Sequence, residues 1–121
     1  MSNTFNMSDF KPVDYNIEIV SQDTWSELFE LFLDTIPINL TGSTITISVY
    51  KGCSTSAALF TATNASGVTI IGVNNNKISV SKKVTLAKGD YIWDLKVVFP
   101  DLTTKTYVWG DFIVYETKNN V

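Results

Sequence analysis

Any chemistry in this sequence has to proceed without histidine, because none occurs among its 121 residues. That removes the side chain most used for proton transfer near neutral pH and the commonest metal ligand, and it excludes Ser/His/Asp and Cys/His catalysis. Two carboxylates could still act as an acid–base pair, since glycoside hydrolysis asks only for two acids across a cleft. Asp90 and Asp94 lie four apart on one extended segment and so share a face, while Asp101 and Asp111 fall at or beyond turns. With short strands and no long loops to wall a cleft, these acids read as solvated turn and edge residues. Cys53 has no second thiol or imidazole for a disulfide or zinc site, and beside Lys51, with no base to assist it, it reads as inert. No phosphate-binding or calcium-binding loop pattern occurs. The expectation is a non-enzymatic protein with no catalytic residues, no cofactor and no metal.

Binding chemistry has better material. Trp25, Trp93 and Trp109 could serve as sugar-stacking platforms if exposed, or as packing at an interface. Trp93 and Trp109 fall on neighbouring segments of alternating hydrophobicity, which favours core or subunit-interface packing. Nucleic acid is a poor partner. All nine basic residues are Lys, the net charge is −3, and only Lys82 and Lys83 are adjacent. A chain without Arg lacks the planar fork that reads guanine and phosphate bidentately.

The elements that must position these residues read as strands. Tyr15 to Val20 alternates with period two, and so does Thr44 to Lys51 with its β-branched Ile45, Ile47 and Val49. Trp25 to Leu33 fits either a bulged strand or a helical stripe, and its strand-like neighbours and lack of caps favour strand. Asp34 to Gly42 is a connector in which Pro37 and Gly42 interrupt pairing. Shorter strands are expected at 57–62, 68–71 and 77–81, with a loop over 52–56. Tyr91 to Phe99 and Thr104 to Tyr115 form a hairpin about Pro100-Asp101. In it Ile92 and Val98 oppose the inward aromatics, which points to an outer surface covered by another copy or another protein.

The fold expected is an all-β, immunoglobulin-like antiparallel β-sandwich of about seven or eight strands. Its domain spans 15–117, preceded by a flexible N-terminal arm over 1–14 that folding does not need and followed by a tail over 118–121. Leu86, Gly89 and Tyr91 have the spacing of a tyrosine corner, in which the Tyr hydroxyl returns to backbone just upstream. An ordinary half-buried strand tyrosine fits Tyr91 equally well. No signal peptide or membrane-spanning run is present in the sequence, so synthesis in a cytoplasm is expected and a membrane partner is not.

Trp25, Asp34, the Pro-x-x-Leu-Thr-Gly step from Pro37 to Gly42, the Leu-x-x-Gly-x-Tyr-x-x-Asp-Leu segment from Leu86 to Leu95, and the closing strand from Gly110 to Val114 resemble small immunoglobulin-like virion proteins of tailed bacteriophages. They look like the N-terminal domain of phage baseplate upper proteins. The likeness covers about residues 20–117 and its motifs are structural. It departs at Asp34-Thr35-Ile36, where an Asp-Gly usually precedes the Pro, and at Ser48-Val49-Tyr50-Lys51, where the related strand carries Arg. It implies a structural protein of the virion, placed in head, tail or baseplate as a decoration protein or adaptor. Its partners would be other virion proteins, as a homo-oligomer or in many copies, held by the 1–14 arm. A carbohydrate-binding or adhesion module, with a glycan as partner, is the alternative.

Overall fold

Alternation of large apolar and polar residues gives each long strand one face to bury, and two such sheets close on one another. A computed structural model describes residues 2–7, 11–52 and 57–116. Its strands are β1 (Ser2–Met7), β2 (Val13–Asp14), β3 (Ile17–Val20), β4 (Thr24–Leu33), β5 (Ile36–Pro37), β6 (Thr44–Tyr50), β7 (Phe60–Thr63), β8 (Val68–Ile71), β9 (Lys77–Lys83), β10 (Gly89–Val98) and β11 (Thr104–Tyr115). One sheet has the order β1-β4-β9-β8 with β5 on β4; the other has β2-β11-β10-β6-β7 with β3 also on β11. The fold is all-β, an immunoglobulin-like sandwich. Its sheets are mixed where a purely antiparallel arrangement was expected, because β1 runs parallel to β4, and β2 and β3 run parallel to β11.

The tyrosine corner is formed. Tyr91 opens the inward face of β10, and its hydroxyl donates to the Ala87 carbonyl at 2.8 Å. Leu86 is buried, and the Lys51 ammonium lies 4.9 Å from the Tyr91 ring centroid. Trp25 faces the core from β4, at 5.6 Å from Trp93 and 5.3 Å from Phe112 between ring centroids, so the Trp25 segment is a strand.

The largest correction concerns the N-terminus. Residues 1–14, expected as an arm, instead supply β1 and β2 to the two sheets. Phe5 and Met7 alternate along β1 and both are buried in the core, Phe5 stacked on Phe29 at 5.7 Å. Pro37 also departs from expectation, since it pairs with Phe32 across a two-residue turn. Asp34 and Thr35 occupy that turn with φ of 50° and 65°, the mirror-turn conformation that suits a right-twisted hairpin. The turn is tied back to β1, because Asn6 Oδ1 accepts the Thr35 amide at 2.8 Å. Phe60 to Thr63 is the strand observed where 57–62 was expected. Cys53, most of the 52–56 loop and the 118–121 tail fall outside the described residues.

A polar clasp joins the sheets at one open edge. Glu27 projects inward from β4, and its carboxylate accepts from Trp25 Nε1 at 2.6 Å, Asn3 Nδ2 at 2.9 Å and the Tyr15 hydroxyl at 2.5 Å. Desolvation first, then the hydrogen bond and negative charge of Glu27, push the Tyr15 phenol up to about 12 from its ordinary 10.0. A phenol raised on folding contributes stability that is present in full below pH 10 and is lost as pH rises towards 12. Tyr107 and Tyr115 are raised as well and act in the same direction. Alkaline titration of the unfolding free energy is therefore expected to show a plateau to about pH 10 and then a fall. In Tyr15→Phe the fall becomes shallower while the plateau drops by about 1–2 kcal/mol for the lost bond to Glu27. An unchanged alkaline limb in that variant would show that Tyr15 ionises as freely in the folded state as in the unfolded one.

Candidate functional site

The outer face of the second sheet carries a row of side chains set by strand register. Asp94 on β10 lies opposite Ser48 on β6 and opposite Trp109 on β11, and Trp109 in turn pairs with Asp14 on β2. In the next row Tyr50, Ile92 and Asp111 are register partners, and on the other side Thr46, Lys96 and Thr106. A cleft of 460 Å³ sits over these rows, lined by Tyr50, Ile92, Asp94, Lys96, Trp109 and Asp111 among others. That volume falls within the range of small-ligand sites.

A β-bulge shapes the cleft. The β10–β11 register shifts between Leu95 and Lys96, so that Leu95 pairs with Val108 while Lys96 pairs with Thr106. Tyr107 is the extra residue; it turns inward and meets the Phe99 ring edge-on at 6.3 Å. Thr106 and Trp109 are three apart and in a regular strand would face opposite sides of the sheet. With the bulge between them, both line the cleft.

Asp94 is the unusual group. The side chain is 8% exposed, and its Oδ1 is buried with no hydrogen-bond partner. Desolvation holds its pKa above the ordinary 3.8, opposed by the Lys96 charge acting through space. The residue was expected to be a solvated edge acid, and two facts of topology overturn that. β10 is a central strand flanked on both sides, and Asp94 is bracketed in register by Ser48 on β6 and Trp109 on β11. Asp90, weighed as its possible partner but read as a solvated residue, is exposed as expected and does not line the cleft. Asp101 is an exposed turn residue as expected; the Thr103 hydroxyl and amide that it accepts hold its carboxyl below the ordinary range.

The three tryptophans separate. Trp25 at 3% and Trp93 at 2% exposure are core residues and offer no platform to a glycan. The Trp93 indole is satisfied internally, donating to the Tyr15 carbonyl at 2.8 Å. Trp109 is 43% exposed, so of the three it alone can meet a ligand. Tyr50, 9% exposed at the wall of the same cleft, was not singled out from sequence; its place at the end of an alternating strand was the available signal. Among the described residues no three His, Cys, Asp or Glu side chains gather as metal ligands.

No protein-family model matches the chain, and no curated protein does. Among solved structures it is similar to CopC from Methylosinus trichosporium OB3b, with 18% identity and a TM-score of 0.40, over 64% of this chain and 67% of that one. The tailed-phage virion role implied by the resemblance is corrected here, because no family model and no curated protein supports it. The capsid, tail and baseplate placements are withdrawn with it.

Proposed function

We propose that this domain is a non-catalytic binding module, and that its ligand occupies the cleft between Tyr50, Asp94 and Trp109. The observation that carries this reading is the orphaned Asp94 oxygen, one of two buried side-chain polar atoms without a partner among the described residues, with Ser43 Oγ, and the one whose residue lines a cleft. A carboxylate desolvated without a partner costs stability, and proteins keep such groups where a bound molecule supplies what the fold withholds. The exposed indole beside it offers a ligand apolar contact at the same point. Support for a binding role over a reaction comes from the chain itself, which has no histidine to move protons beside this lone buried acid.

The sign of the Asp94 effect makes the reading testable. A carboxyl whose pKa is raised on folding costs nothing while it is protonated and loses stability as pH climbs through 3.8 and above. Asp94→Asn is therefore expected to unfold about 1 kcal/mol later than the parent at pH 7, and at the same point at pH 3. Titration of labelled protein with small neutral, anionic and cationic compounds should move the Trp109 indole resonance saturably with at least one class. A less stable Asp94→Asn at pH 7 would make Asp94 a structural partner and remove the proposal's basis. An indole that none of the three classes moves would do the same.

A further inference from the structure

We infer that the ligand of this cleft presents a primary ammonium group on a short apolar chain, the ammonium seated on Asp94 and the chain lying against Trp109 and Tyr50. The inference rests on the binding role proposed above and names the chemistry of its ligand. Three observations point to a cation. The orphaned Oδ1 of Asp94 can only accept when ionised, so its partner must donate. A hydroxyl would satisfy the hydrogen bond but leave a net charge desolvated, whereas an ammonium satisfies both.

Charge on this face has the matching sign. Register places Asp14 and Asp94 on either side of Trp109, and the residues lining the cleft include the carboxylates of Asp94 and Asp111 and one ammonium, that of Lys96. Lys96 acts on Asp94 through space and leaves the orphaned oxygen untaken. An anionic ligand would meet the carboxylates of Asp94 and Asp111, and a neutral polyol would gain hydrogen bonds from them but leave their charge uncompensated. The rings of Trp109 and Tyr50 complete the argument, since aromatic faces attract cations as well as alkyl chains. Ile92 supplies an aliphatic surface between them.

A primary ammonium of this kind is carried by free alkylamines and by lysine side chains. Pentylamine, Nα-acetyl-lysine-N-methylamide, pentan-1-ol and methyl α-glucoside, titrated separately against the Trp109 indole resonance, distinguish the sources and the chemistry. Pentylamine is expected to saturate and to bind about tenfold or more tightly than pentan-1-ol, its neutral counterpart. Tighter binding of the lysine derivative than of pentylamine would assign the site to a peptide side chain; the reverse would assign it to a free amine. Asp94→Asn should abolish the preference for pentylamine over pentan-1-ol, and Lys96→Gln should strengthen pentylamine binding about threefold by removing a like charge. Equal affinity for amine and alcohol, or binding of methyl α-glucoside alone, would overturn the ammonium inference while the binding role stands. Failure of all four probes to move the indole would count against the ammonium inference, and the role itself would fall with a silent anionic class.

Discussion

Replacing Gly110 with alanine is expected to destabilise the domain by about 3 kcal/mol, enough to lower the midpoint of thermal unfolding by about 10 °C. The reason lies in a backbone crossing. Between β2 and β3 the chain passes directly over β11, and a Cβ on Gly110 would stand 2.3 Å from the Tyr15 carbonyl oxygen and 2.8 Å from its carbon. Neither atom can yield alone. The Tyr15 carbonyl accepts the Trp93 indole at 2.8 Å, the Tyr15 amide donates to the Trp109 carbonyl at 2.9 Å, and Asn16 Oδ1 accepts the Asp111 amide at 2.9 Å. Displacing the crossing thus strips a buried indole of its acceptor and loosens two strands from β11. Denaturant melts of Gly110→Ala check this, and a midpoint equal to the parent's would mean that the crossing is slack.

Phe5→Ala is expected to cost about 3 kcal/mol, the typical loss for deleting a buried phenylalanine. Phe5 is held between the Tyr15 ring at 5.4 Å and the Phe29 ring at 5.7 Å, and Phe29 is itself fully buried. Truncation there opens a void at the centre of the aromatic cluster while leaving the rest of β1 able to pair. A dispensable arm would give no effect at all, so urea denaturation of this one variant separates the two pictures.

The reach of sequence reasoning here follows the range of the interactions involved. Period-two alternation is local, and it located the β10–β11 hairpin, β6 and the all-β class correctly. The tyrosine corner was an even choice because the spacing of Leu86, Gly89 and Tyr91 says nothing about where a hydroxyl points. In β1 only Phe5 and Met7 are apolar, a two-residue alternation among Ser, Asn and Thr that looks like a polar leader until Phe29 and Leu31 are seen beside it. Asp94 was misjudged for a topological reason, since nothing near it in the chain shows that β10 lies between β6 and β11. The bulge at Tyr107 was equally hidden, and without it Thr106 and Trp109 belong to opposite faces. Trp109 itself was singled out from sequence, but its exposure depends on that same shift of parity.

The crossing at Tyr15 and Asn16 also sets the order in which the molecule can be completed. Its partners on β11 lie 95 positions further along the chain, so β2 and β3 have nothing to pair with until the last strand has left the ribosome. Until then β10 is an unprotected edge and the Trp93 indole has no acceptor. Topologies governed by such distant pairings fold slowly, on the order of milliseconds to seconds. The closing of β2 and β3 upon β11 should therefore be the last cooperative event in the folding of this domain, and the interval before it the period in which a nascent copy is most exposed to pairing with a neighbour.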